Sequence, residues 1–187
     1  MNMKKTGLSV AFLFFVTITA IAQDKIYTKA GSISFYSKSS LENIEAHNKK
    51  ATCIVDKTTG QMEFAVLMKA FEFEKALMEE HFNENYVESD KYPKSTFKGK
   101  ITNLSAINFA KDGTYDAAVS GDITIHGVTK QVSSKGKFIV SGGKITASSE
   151  FNILLSDFNI SIPSAVKNNI SNDIKITVDL ILDALVQ

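Results

Sequence analysis

The sequence predicts an all-β fold: an extended antiparallel barrel of about eight strands carrying one short helix. Apolar and polar residues alternate with period two in run after run, which places successive side chains on opposite faces of a strand. Turn-forming residues separate the runs over short intervals, so neighbouring strands are antiparallel. The chain that follows an N-terminal leader is long enough for one core and contains no long polar linker. Long apolar strands leave exposed edges, and closing the sheet on itself removes them. Strands of about ten residues span roughly 33 Å, which suits an elongated barrel with interior room better than the alternative, a compact sandwich.

The leader comes first. Lys4 and Lys5 precede an apolar-leaning run from Leu8 to Ile21 that ends in Ala20-Ile21-Ala22 before Gln23-Asp24. A charged head, a short apolar middle and small residues at the cut are the signal-peptide pattern. The competing reading, a membrane anchor, needs roughly 20 apolar residues. Residues 1–22 therefore read as a signal peptide and 23–187 as one barrel domain, exported after cleavage and not an integral membrane protein.

Ile33 and Phe35 alternate with Ser32 and Ser34, giving the first strand. Ala51 to Val55 reads as a second, with Cys53 as a small apolar filler; a lone cysteine cannot make an internal disulfide. Met62, Phe64, Val66 and Met68 form one wholly apolar face. The period then changes: Phe73, Ala76, Leu77, Glu80 and His81 fall at helical spacing, predicting a short helix over 73–84 that Tyr92-Pro93 prevents from continuing. Phe97 and Ile101 oppose Lys98 and Lys100 on the next strand. Tyr115, Ala117, Val119, Ile123 and Ile125 define another, with Gly121 in phase and marking a bend or bulge. Ile145, Ala147, Phe151, Ile153 and Leu155 repeat the pattern. A loop with a helical turn fills Pro163 to Asn172, and Ile174, Ile176, Val178, Leu180 and Leu182 close the chain. The hairpin connections are Asp56–Gly60, Lys111–Gly113 and Ser141–Gly143.

Composition narrows the function. All 21 basic residues are lysine; the leader removes Lys4 and Lys5, leaving 19 lysines against 20 carboxylates. Such a balance advertises no nucleic-acid partner. A 44% hydrophobic content with 22% charged residues excludes a disordered chain, and one cysteine excludes a disulfide-stapled scaffold. His47, His81 and His126 lack the close pairing of a zinc motif, so no metal is expected. Neither a Gly-x-Ser-x-Gly elbow nor a phosphate loop is present, and the Glu72/Glu74 and Glu79/Glu80 pairs read as an exposed charged face rather than as glycosidase carboxylates. No cofactor and no catalytic residue is assigned. His126, on the polar phase just before Gly127, suits a turn-stabilising hydrogen bond, and His81 a place at the barrel mouth or beside Phe82. Lys91, Lys94, Lys98 and Lys100 form the densest basic stretch: a solvated face, with an anionic ligand head beside them as the alternative.

Lys91-Tyr92-Pro93-Lys94-Ser95-Thr96-Phe97, the run Gly121 to Lys130 with Ile125-His126-Gly127-Val128-Thr129, and Asp157-Phe158-Asn159-Ile160 leading to Leu182 stand in a particular order. With Ser32–Phe35 and Met78–Asn83, they resemble the YceI-like family over nearly all of the mature chain. The resemblance implies a lipocalin-like barrel exported to the bacterial periplasm, with a cavity for a polyisoprenoid such as a quinone tail or prenyl carrier lipid. It implies no catalytic residues, and it allows a homodimer. The helical run Lys75–Phe82 departs from the common family pattern in having no arginine.

The function expected is that of a binding protein, not an enzyme, that sequesters or carries a long apolar ligand, an isoprenoid or other lipid. The candidate lining residues are Phe35, Phe64, Met68, Phe97, Ile123, Ile125, Phe151, Ile153 and Val178. Each buried methylene contributes about 0.8 kcal/mol, so ten give around 8 kcal/mol before ordering costs. The rival reading is a filled barrel, a structural or protein-interaction module of the cell envelope, motivated by the 13 phenylalanines. A hollow or a solid interior separates the two.

Overall fold

A computed structural model describes residues 24–185; the expected signal peptide, 1–22, lies outside the described residues. In chain order the strands are β1 (Lys25–Lys38), β2 (Asn43–Asp56), β3 (Gln61–Leu67), the two-residue β4 (Glu72–Phe73), β5 (Lys94–Ile101), β6 (Gly113–Ile125), β7 (Val128–Ser141), β8 (Lys144–Leu154) and β9 (Asp173–Ala184). Eight of them close an antiparallel barrel in the order β1-β9-β8-β7-β6-β5-β3-β2, with β2 returning to β1; β4 adds to β2. Among the described residues no helix is long and apolar enough to cross a membrane.

Turn chemistry sets the register. His126-Gly127 joins β6 to β7 and Gly142-Gly143 joins β7 to β8; both pairs hold positive φ, 51° and 74° in the first, 55° and 79° in the second. That conformation matches the right-handed twist of the flanking strands. Between β2 and β3, the Asp56 carboxylate accepts N–H bonds from Thr58 at 2.9 Å and Thr59 at 2.8 Å, as expected for a short turn. Lys111–Gly113 is different: it ends a longer connection, 102–112, that folds over one end of the barrel. Ile107 is buried there, and Phe109 meets Phe138 edge-on at 5.2 Å.

Three expectations are corrected. Gly121 marks no bulge, because β6 pairs with β7 without a break. It stands opposite Gly99 of β5, and the Phe97 ring lies over both glycines. The register shifts occur in β1 on either side of Gly31. The helix α1 covers Ala76–His81 and runs into a wider turn over Phe82–Tyr86, while Phe73 belongs to β4. Leu77, one of the residues at helical spacing, is 60% exposed. Strand β7 carries no strong apolar alternation because its inward positions include Ser134 and Gly136 alongside Val132, Phe138 and Val140.

The interior divides in two. At the end bearing the 102–112 connection, Ile26, Cys53, Val55, Met62, Ile101, Ala117, Phe138, Val140, Leu180 and Leu182 pack into a solid plug. Burial pushes the Cys53 thiol up to about 12, leaving it a filler with no thiolate at neutral pH. Toward the opposite end, where the β1–β2, β6–β7 and β8–β9 connections and α1 gather, Val66, Met68, Phe71, Val87, Phe158 and Ile174 form a second cluster around open volume.

Candidate functional site: an apolar hollow

All nine sequence-derived candidates border one cavity of about 370 Å³, within the range of small-molecule sites. Met68 and Ile153 are buried, whereas Phe35, Phe64, Phe97, Ile123, Ile125, Phe151 and Val178 point inward from their strands yet are only partly buried. Inward apolar side chains in a filled barrel would lose all accessibility. These keep it because the space in front of them is empty. From Ile125 to Val119 the lining runs about 20 Å along β6, and the plug then stops it.

Sequence reasoning missed the aromatic cluster at the mouth. Phe35 packs with Phe71 at 5.4 Å, Phe73 at 5.7 Å and Phe82 at 5.4 Å between ring centroids. The signals were present: Phe71 and Phe73 alternate with Glu72 and Glu74, the period of a strand, and Met78, Phe82 and Tyr86 recur every fourth residue, the stripe of a helix. Phe71, Phe73, Met78, Phe82 and Tyr86 line the cavity. His81 is exposed and borders the mouth. The Tyr86 hydroxyl is held above its ordinary range by burial.

Charge is scarce in the lining. Glu42 reaches the mouth and is paired with Lys75 at 2.6 Å; among the described residues no lysine lines the cavity. Lys94, Lys98 and Lys100 stand exposed on the outer face of β5, so the basic stretch is the solvated face and offers the cavity no anion site.

The chain matches a family model described as YceI-like domain over residues 25–182. It belongs to the YceI-like family. Solved structures share the fold. A polyisoprenoid binding domain from Saccharophagus degradans, implicated in plant cell wall breakdown, is 13% identical with a TM-score of 0.75, over 87% of this chain and 99% of that one. Burkholderia cenocepacia BcnA is 17% identical with a TM-score of 0.67, over 82% and 96%. A Campylobacter jejuni YCEI protein is 16% identical with a TM-score of 0.55, over 98% and 94%. No curated protein matches the sequence.

In this YceI-like barrel the family-resembling Ile-His-Gly-Val-Thr run does structural work at the mouth. His126 adopts positive φ in the β6–β7 turn, and its ring reaches beyond that turn. Nδ1 lies 3.0 Å from the Phe158 carbonyl and Nε2 2.8 Å from the Glu88 carboxylate, while Tyr92 packs edge-on at 4.7 Å. One side chain thus ties three connections together, which is wider than the in-turn hydrogen bond expected from sequence. The His126 hydrogen bond holds the Glu88 carboxyl below its ordinary range, with Lys91 assisting. A depressed carboxyl contributes stability above its unfolded pKa and loses it as pH falls through the folded one. Glu88→Gln is expected to lower Tm near neutral pH, and the deficit to close as acid titrates wild-type Glu88; thermal melts across that range measure it.

Proposed function

We propose that this YceI-like chain is an exported binding protein that sequesters or carries a long apolar ligand, an isoprenoid or other lipid, in its barrel. The hollow carries the reading: apolar side chains from the strands and the helical segment face unfilled volume at one end of an otherwise packed barrel. Burial of methylenes supplies affinity without an elaborate polar site. The nine candidate residues, together with Phe71, Phe73 and Phe82, are the proposed contacts. The plug blocks passage through the barrel, so a chain longer than the hollow folds back or leaves by the mouth. A likeness to a polyisoprenoid binding domain supports the lipid class.

Native mass spectrometry of protein recovered from its own host tests this. The expected result is an adduct of an apolar small molecule on a polypeptide beginning at Gln23. Stripping the ligand should lower Tm by roughly 5–10 °C, because a ligand at a hundred times its Kd stabilises by about 2.7 kcal/mol and a domain of this size shifts by roughly 2–4 °C per kcal/mol. Apo protein alone, with a Tm unmoved by added hydrocarbon, would overturn the proposal in favour of a structural or protein-interaction barrel.

A further inference from the structure

The inner end of the hollow is not wholly apolar. Its floor lies at the level of Val119, Ser134, Ser149 and Val178, where Val119 pairs with Ser134 across β6 and β7, and Ser149 with Val178 across β8 and β9. The two serine oxygens stand 2.6 Å apart. Ser149 Oγ donates to the Lys135 carbonyl at 2.9 Å, and Ser134 Oγ lies 3.3 Å from the same carbonyl. One hydroxyl proton therefore goes to that carbonyl and the other closes the pair. Neither is left to point into the hollow, whereas each hydroxyl oxygen carries two acceptor lone pairs. The pair has spare acceptor capacity and no proton to offer toward the hollow.

A structural reason covers one member only. The β7–β8 ladder ends at Gly136 and Ser149, and Ser149 bonds the Lys135 carbonyl just beyond the last pair. Ser134 adds nothing to that closure that Ser149 does not already provide. Charge restricts the ligand further: among the described residues no lysine lines the cavity, the chain has no arginine, and the Lys75 ammonium near the mouth is already held by Glu42.

We propose that Ser134 and Ser149 form a subsite for a hydrogen-bond donor, a hydroxyl or amide N–H, at the inner end of an uncharged chain lipid whose other end sits at the mouth. The inference rests on the reading of the hollow as a ligand site and specifies its ligand: a lipid without net charge that is polar at both ends. Against the apolar side chains of such a hollow a buried hydroxyl is left without a partner and binding suffers; at this floor it is satisfied.

The test compares hexadecanol with a hexadecanediol bearing a hydroxyl at each end, by displacement of an apolar fluorescent dye from stripped protein. Wild type is expected to bind the diol within about tenfold of the alcohol, and Ser134→Ala to weaken the diol by about tenfold or more while changing the alcohol by less than about twofold. Ser134→Thr, which keeps the hydroxyl, should restore diol binding. Unchanged alcohol affinity shows that each variant is folded. A wild-type preference for the alcohol on the order of a hundredfold, or an equal loss of both probes in Ser134→Ala, would overturn the subsite and leave the hollow as a lipid site. Binding of neither probe to wild type would overturn both.

Discussion

Placing tryptophan at both Ile123 and Val178 is expected to weaken hydrocarbon binding sharply while leaving the barrel folded. Both side chains face the hollow from β6 and β9, and both are only partly buried because nothing fills the space before them. Two indoles directed into that space would displace several methylenes of any bound chain. Losing four at about 0.8 kcal/mol each weakens binding on the order of a hundredfold. In a packed core the same enlargement forces strain, but here the added atoms enter open volume, so the stability cost should stay under about 3 kcal/mol. Dye-displacement titration reads the affinity and a denaturant melt reads the fold. Retained hydrocarbon affinity in a folded double variant would place the binding site elsewhere.

Gly121→Ala should have the largest effect on stability. A Cβ built at Gly121 falls 2.4 Å from the Gly99 Cα and 2.4 Å from the Lys98 carbonyl oxygen, and 2.8 Å from the Phe97 ring. Two of these neighbours are backbone of the paired strand and cannot rotate away, so relief requires β5 and β6 to separate. A cost of about 3 kcal/mol or more is expected, against a total near 5–15 kcal/mol for a domain, with Tm falling by roughly 10 °C. Gly142→Ala is the control. Its φ of 55° strains alanine, but nothing lies within 4 Å of the added carbon, so the loss should be about 1–2 kcal/mol. A Gly121→Ala protein as stable as Gly142→Ala would show that β5 and β6 separate cheaply, and that the Phe97 ring is not wedged over two glycines.

Much of this architecture could be read directly because a strand's period is two. Ile33 with Phe35, Met62 through Val66 and Ile174 through Leu182 turn the faces expected of them, and Phe97 and Ile101 turn inward opposite Lys98 and Lys100. Errors arose where period two met a competing signal. Phe71-Glu72-Phe73 precedes a run of good helix formers, and its strand character was absorbed into the helix expected after it. In β2 the inward set changes from even to odd positions after Asn48, whose side chain bonds the Leu67 carbonyl at 2.9 Å and the Lys50 N–H at 2.8 Å across the irregularity. A parity change of this kind leaves no fixed phase to follow along one strand. In β7 two of the inward positions are Ser134 and Gly136, so the contrast between faces fades midway along the strand.

The amino-acid pattern by itself determined strands, their antiparallel order and which residues share a face, because these follow from local geometry repeated every second residue. Whether those faces meet or leave a gap was decided only by the tertiary structure. Filling depends on the summed volume that eight strands, a helical segment and the 102–112 connection project into one interior. The same kinds of side chain make a solid plug beneath that connection and a hollow at the opposite end, whose floor lies at the level of Ser134 and Ser149.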